Sequence, residues 1–341
     1  MKKALFLTIV LVLILSVFTL PAHAQDIVRW EPLNEGIENQ EVFVLELDPV
    51  DSTVIYAGTV NGIFKTTNAG LSWSPINNGI TVSKITAVAI DPSNRQTLLI
   101  ATVQGFVYKS TNGGSNWTKL YELPESYNYF LSLAIDSVDP LTIYAGGYED
   151  FFKSVDGGVS WQRAQIGDYA GVFDILIDPS QNKNILIATD DGIYKSIDYG
   201  ETWDLKTTQK WVECRAFAMD MNNPNIIFGA TAGNGVIKSV DGGETWEYPS
   251  PLDLPNYIYA ISFDSTYSKL YAGHWSRGAY MSDDAGLTWQ EINEGLPENS
   301  PSVLLQNPNN PGSVYAGTSQ GVYKLVILTS DKQLFIPLIF R

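Results

Sequence analysis

Carboxylates are the one class of reactive side chain this sequence holds in quantity. Six of them, Glu149, Asp150, Asp168, Asp190, Asp191 and Glu213, fall in polar segments between apolar runs. Two Asp or Glu groups roughly 5–10 Å apart can cleave a glycosidic bond, one as acid and the other as base or nucleophile. Other chemistries lack their residues. The histidines are His23, inside an apolar leader, and His274, so a Ser-His-Asp triad would have to use His274. With Cys214 the sole cysteine, a His/Cys metal cluster is excluded. No phosphate-cradling Gly loop occurs, so neither metal nor cofactor is expected.

The leader itself reads as a secretory signal. Lys2 and Lys3 precede an apolar run from Ala4 to Leu20, and Ala22-His23-Ala24 has the small-x-small form of a cleavage site. Residues 1–24 are therefore assigned to a signal peptide, and the mature chain to an extracellular or periplasmic space. Its formal charge moves from −16 to about −18 on loss of the two leader lysines, which repels phosphate backbones and anionic lipid. Nucleic acid and membrane insertion are not expected. A lone cysteine permits no internal disulfide, so stability must come from packing.

The elements that position the acids emerge from the tryptophans. An eight-residue box, Ser/Thr-x-Asp/Asn-x-Gly-x-Ser/Thr/Asn-Trp, ends at Trp73, Trp117, Trp161, Trp203, Trp246 and Trp289, with spacings of 44, 44, 42, 43 and 43 residues. Its Asx positions are Asn68, Asn112, Asp156, Asp198, Asp241 and Asp284. Before each box stands a strand such as Tyr56-Ala57-Gly58-Thr59, a Gly turn, and a second strand such as Gly62-Ile63-Phe64-Lys65. After each Trp a further strand ends at Asp91, Asp136, Asp178, Asp220, Asp264 or Asn307. Four short strands per unit leave no room for a helix. Such units cannot bury their own faces and must stack, and repeats of about 40–45 residues with four strands are propeller blades.

Trp30-Glu31-Pro32-Leu33-Asn34-Glu35-Gly36 mirrors Trp73-Ser74-Pro75-Ile76-Asn77-Asn78-Gly79 but has no box before it. The last copy, Ser313 to Lys324, has two strands and no box after them. The fold expected for residues 25–329 is thus all-β, a seven-bladed β-propeller of four-stranded antiparallel blades. An N-terminal strand at 27–33 completes the last blade and leaves no open sheet edge. Residues 330–341, with the apolar stretch Leu334–Phe340, lie outside the repeat and read as either an extra edge strand or a sorting signal.

The box is the Asp-box, or BNR repeat. The chain resembles the propellers of xyloglucanase-type glycosidases, the sortilin ectodomain and the photosystem II assembly factor, with microbial sialidases as six-bladed cousins. The resemblance implies the fold; the activity is not shared across those proteins. The sialidase Arg-Ile-Pro motif is missing. Xyloglucanases of this type place their cleft between two rings, and one ring is encoded here. The assembly factor's Gly-Trp-Ala-Val-Gly strand is replaced by Tyr-Ala-Gly-Thr. The Asx residues and tryptophans of the boxes are assigned to structure: the short side chain bonds its own turn, and the indole packs beneath the hairpin.

In such a ring the boxes occupy one face, and the opposite face gathers the turns after the second strand and the blade-to-blade linkers. Those segments hold the six acids. They also hold Tyr129, Tyr169, Trp211, Tyr257, Trp275 and Arg277, while Arg215 and Tyr259 begin inner strands. Flat rings suit sugar faces or peptide side chains, so these eight residues are assigned to ligand contact. The reading favoured by the residues alone is a monomeric, secreted, non-catalytic binding or scaffold protein for a glycan or a protein segment. The alternative is a glycoside hydrolase, xyloglucanase- or sialidase-like, using a pair from the six acids.

Overall fold

A computed structural model describes residues 27–123, 129–148, 150–164, 166–167, 170–207, 212–248, 255–297 and 301–328. Val28–Val326 form one compact unit; Met1–Ile27 with Ile327–Arg341 form a second, of which residues 27, 327 and 328 are described. The proposed leader and tail lie outside the described residues.

The described chain is all β, arranged in seven antiparallel sheets, in six of which the strands follow one another outward in chain order. The second strand of a blade is an unbroken apolar run and is buried along its length, as in Ile55–Thr59, Leu98–Thr102 and Ile185–Thr189. Both faces of such a strand must be covered, and the neighbouring blades cover them. The small residues inside these runs set how close the blades come. A Cβ on Gly58 would stand 2.5 Å from Val44 Cγ1 and 2.9 Å from Ile85 Cγ2 of the next blade.

Inner strands pack side by side around an axis: Val42–Leu47, Ile85–Ile90, Phe130–Ile135, Val172–Ile177, Glu213–Met219, Ile258–Asp264 and Val303–Gln306, the last against the first. Polar ties cross between them. Thr86 Oγ1 donates to the Phe130 carbonyl at 2.7 Å, Ser132 Oγ to the Val172 carbonyl at 3.2 Å, and Ser302 Oγ to the Val42 carbonyl. Six sheets have four strands. In the fifth, the outermost strand is reduced to a bridge between Lys238 and Glu247.

The seam closes as the repeat requires. Ile27–Pro32 lies beside Gly321–Leu328 in one sheet, so the seventh blade takes its outer strand from the beginning of the chain. Leu33 N–H donates to the Val322 carbonyl and Val322 N–H to Asn34 Oδ1, both at 2.8 Å. Trp30 is buried, and its indole N–H donates to the Ile292 carbonyl of the sixth blade at 2.7 Å.

Each box is a hydrogen-bonded turn. In the third blade Ser154 Oγ accepts from Gly158 N–H at 2.9 Å and donates to Asp156 Oδ1 at 2.8 Å. Asp156 in turn accepts from Ser160 N–H at 2.9 Å and from Ser160 Oγ at 2.6 Å. Donation from Ser160, through its hydroxyl and then its backbone, holds the Asp156 carboxyl down at about 2, and Thr202 does the same for Asp198. These acids are saturated by their own turns, on the face away from the linkers.

Candidate functional site

The face opposite the boxes is built from a backbone irregularity that recurs. The pairing of the first two strands slips by one residue at Phe43, Thr86, Leu131, Phe173, Arg215 and Tyr259, in six of the seven blades. A bulge leaves one residue unpaired and re-aims its side chain. Here the six side chains, with Ser302, line the upper end of the axial channel, a cavity of about 350 Å³. The bulge tolerates any side chain, so this ring is where the blades can differ without harm to the fold.

Three of these positions come together over the fourth to sixth blades. The Arg215 guanidinium lies 4.0 Å from the centre of the Phe173 ring and 4.8 Å from that of Tyr259, and it pairs with Glu213. Clamping a planar cation between two rings limits where its carboxylate partner can go. In the next turn, Asp190 Oδ1 accepts from Gly171 N–H at 3.0 Å. Burial raises the Asp190 carboxyl; the Gly171 N–H opposes the rise, and the charge of Glu213 adds to it. The glycine permits this seat, since a Cβ on Gly171 would stand 2.9 Å from the Tyr148 carbonyl oxygen.

Of the six acids expected from sequence, Asp190 and Glu213 are therefore close enough for the charge of Glu213 to act on Asp190. Asp191 accepts from Tyr194 Oη at 2.9 Å, which gives it a role in its own turn. Asp150 is buried, with Arg163 Nε 2.5 Å away, and serves as an internal counter-charge. Glu149 and Asp168 lie outside the described residues, as do Tyr169 and Trp211 among the expected ligand contacts.

The other expected contacts form a rim. Trp275 is 59% exposed and Tyr257 49%, so neither is spent on packing, and Trp275 N–H donates to the Tyr257 carbonyl at 3.1 Å. Arg277 is exposed beside them. Tyr129 stacks at 5.2 Å on Tyr148, itself half exposed. His274 is buried, its Nδ1 accepts from Ser276 N–H at 3.0 Å, and burial with the nearby Arg277 depresses its pKa, so it stays neutral at pH 7. Cys214 is buried, and burial raises its thiol far out of the reactive range. Among the described residues no group of three or more His, Cys, Asp or Glu could hold a metal ion.

Two carboxylates escaped the sequence reading because they sit on inner strands rather than loops. Glu46 and Asp174 line the channel below the ring. Asp174 Oδ1 accepts from Ile175 N–H and Oδ2 from Phe217 N–H, each at 2.8 Å. Burial raises its carboxyl to about 6. Glu46 is raised to about 8, by burial and then by the charge of Asp174. The signal was there to find: the residues aligned with Asp174 are Val44, Ala87, Ser132, Ala216, Ala260 and Val303, and a lone carboxylate in such a column has a reason.

No family model matches the chain. It is 23% identical over 239 residues to a probable oligoxyloglucan-reducing end-specific xyloglucanase of Neosartorya fischeri, covering 67% of this chain and 25% of that protein. Its fold matches the GH74 xyloglucanase of Xanthomonas campestris with a TM-score of 0.68 at 16% identity, over 87% of this chain and 53% of that one. It matches YCF48 from Cyanidioschyzon merolae with a TM-score of 0.65 at 14% identity, over 87% of this chain and 98% of that one. The chain thus spans a quarter of the curated relative and about half of the xyloglucanase structure. The likeness to xyloglucanases in both sequence and fold corrects the expectation of a non-catalytic binder. That expectation gave weight to the scarcity of histidine, which does not bear on a reaction run by carboxylates.

Proposed function

We propose that the chain is a glycoside hydrolase acting on a xyloglucan-type polysaccharide, with Asp190 and Glu213 as its carboxylate pair. The observation that carries this reading is their asymmetry. Asp190 is pushed toward its protonated form by burial and by the charge of Glu213, while Glu213 is held against a ring-clamped guanidinium. Two carboxylates in unlike surroundings can divide the work. Asp190 delivers the proton to the leaving oxygen, and Glu213 either takes a proton from the water that attacks the sugar carbon or attacks that carbon itself to form an ester that water then cleaves. Tyr257, Trp275 and the Tyr129–Tyr148 pair offer rings to the sugar faces.

The likeness to xyloglucanases supports the substrate class, and the acidic surface suits a neutral glycan better than an anionic one. Cleavage of the leader near Ala24 and export belong to the same proposal, as does action as a monomer; among the described residues no helix is long and apolar enough to cross a membrane. The repeated Asx-Gly-Trp turns support membership in the Asp-box group of propellers, sortilin's included. Incubation of the purified mature protein with xyloglucan, followed by assay of new reducing ends, tests the reading. Asp190→Asn and Glu213→Gln are each expected to lower kcat by about 10²–10⁴. Full turnover in both variants would sink the assignment of the pair.

A further inference from the structure

The six box turns differ at one position that the backbone makes awkward to fill. The residue after each box Asx holds a positive φ, and in the first to sixth blades it is Ala69, Gly113, Gly157, Tyr199, Gly242 and Ala285. Five blades thus place nothing beyond a Cβ there, as the left-handed region favours. The fourth carries a phenol at φ of 63°. Its N–H still makes the bond of this place, to the Lys183 carbonyl at 3.0 Å, as Gly242 N–H does to Asn225. The ring is not spent on packing, since Tyr199 is 44% exposed. A bulky side chain kept against backbone strain and left in solvent points to a task outside the fold.

Tyr199 lines a groove of about 410 Å³ between the third and fourth blades, on the face away from the linkers. That volume falls within the roughly 300–1,000 Å³ of small-ligand sites. Val138 and Val155, both exposed, add apolar surface to the same groove. Its charged groups are already matched. Asp136 accepts from Val138 and Asp139 N–H and, through both oxygens, from Asn182 Nδ2. Asp198 accepts from the Thr202 N–H and hydroxyl, and Glu201 pairs with Lys153 at 2.6 Å. A cation therefore gains little, and an anion meets four carboxylates against one ammonium.

What the groove has left is hydrogen-bonding capacity. Asp139 accepts from Leu141 N–H and Thr142 Oγ1 and keeps further lone pairs, as does Glu201. Asn182 spends its Nδ2 on Asp136, and no described residue donates to its carbonyl oxygen. An exposed ring beside acceptors in search of hydroxyl donors suits an uncharged sugar.

We propose that this groove binds one pyranose unit of a neutral polysaccharide, its apolar face on the Tyr199 ring and its hydroxyls on Asp139, Asn182 and Glu201. The site holds the polymer from the face opposite the linkers, so the inference stands whether or not the chain cleaves a glycan.

The test uses the full mature protein with xyloglucan as the probe. Tyr199→Ala and Tyr199→Gly are the discriminating variants, because Ala and Gly occupy the equivalent place in the other five boxes. Both should fold, with unfolding temperatures at or above the parent's. Retardation in native gels containing xyloglucan should weaken by about tenfold in Kd, read in a Trp275→Ala background where the linker face contributes less. Release of reducing ends from short oligosaccharides reports on the linker face and should not change. Its absence in the parent counts against the hydrolase reading alone. Crystals soaked with xyloglucan oligosaccharide should show a sugar ring against Tyr199. Undiminished retardation in both variants, or a groove left empty while the linker face is occupied, overturns the inference. So does a fall in unfolding temperature on loss of the ring, which gives Tyr199 a packing role, or binding of a Lys-rich peptide in the groove where no sugar binds.

Discussion

Two arcs of the ring solve the same joining problem differently. Where the sixth, seventh and first blades hand over to the next, the linker carries Ile/Leu-Asn-x-Gly. Asn293, Asn34 and Asn77 accept from Ala279, Val322 and Ile63 N–H, at 2.7, 2.8 and 2.8 Å, and so pin the linker to its own blade. The following residues accept from the backbone N–H of Trp30, Trp73 and Trp117, and the indoles of the same tryptophans donate to Ile292, Leu33 and Ile76 carbonyls. Over the other arc the linkers have no such motif. Trp161 and Trp289 donate to Gly158 and Gly286 in their own turns, and the indole N–H groups of Trp203 and Trp246 have no partner among the described residues. Asp190, Glu213 and Arg215 stand on this second arc. The comparison teaches that one part of the ring is specified by its linkers, while the other leaves its linkers free to vary around a site.

The sharpest test of that contrast is Trp30→Ala. It removes a buried ring and the indole's cross-blade hydrogen bond to the Ile292 carbonyl, with an expected loss of about 3–5 kcal/mol in chemical denaturation. Trp246→Ala, on the open arc, should cost clearly less. Equal losses would erase the distinction between the arcs.

Gly79→Ala comes next. Gly79 has φ of 94°, and a Cβ would overlap the Trp117 carbonyl oxygen, so the linker must shift. A loss of about 1–3 kcal/mol is expected, with unchanged activity. Trp275→Ala should do the reverse. Its ring is exposed, so stability should hold within about 0.5 kcal/mol while KM for the polysaccharide rises about tenfold. Loss of stability without loss of affinity would return Trp275 to a packing role.

The smallest effect is one of pH. The first two boxes use Asn68 and Asn112, which do not titrate, whereas the third and fourth use Asp156 and Asp198, both depressed to about 2 from 3.8. A depressed carboxyl contributes stability in full above 3.8 and loses it as pH falls through 2. Asp241 in the fifth box is depressed likewise, so amide hydrogen exchange between pH 4 and 2 should rise in the turns of the third to fifth blades before those of the first two. Simultaneous opening of all the boxes would count against the assignment.

The ring was legible in the sequence because its determinants are local and repeat: an Asx that bonds its own turn, a Gly at positive φ, and a Trp at fixed spacing. The closure was legible too, since Trp30-Glu31-Pro32-Leu33-Asn34 copies a linker seen whole at Trp73. The candidate site was only partly so. Arg215 and Tyr259 could be placed by alignment, but nothing in Phe, Thr, Leu, Arg or Tyr announces a bulge, because the bulge belongs to the pairing of two strands and not to the residue it extrudes. Asp150 looked like an exposed loop acid, and its partner Arg163 is a strand away, beyond what spacing can indicate. Glu46 and Asp174 face inward from strands that read as apolar, so attention to loops passed over them.

The seam also sets when the molecule can become whole. Asn34 and Val322 are separated by 288 positions along the chain, yet their contact completes the last sheet. No ring can shut before Val322 has been made, and until then the first blade faces solvent on the side that Tyr315 and Val322 will cover. Pairings so distant in sequence are slow to form, which makes this contact a candidate for the late step of folding. A permuted chain that joined the two partners directly would be expected to reach the native state sooner.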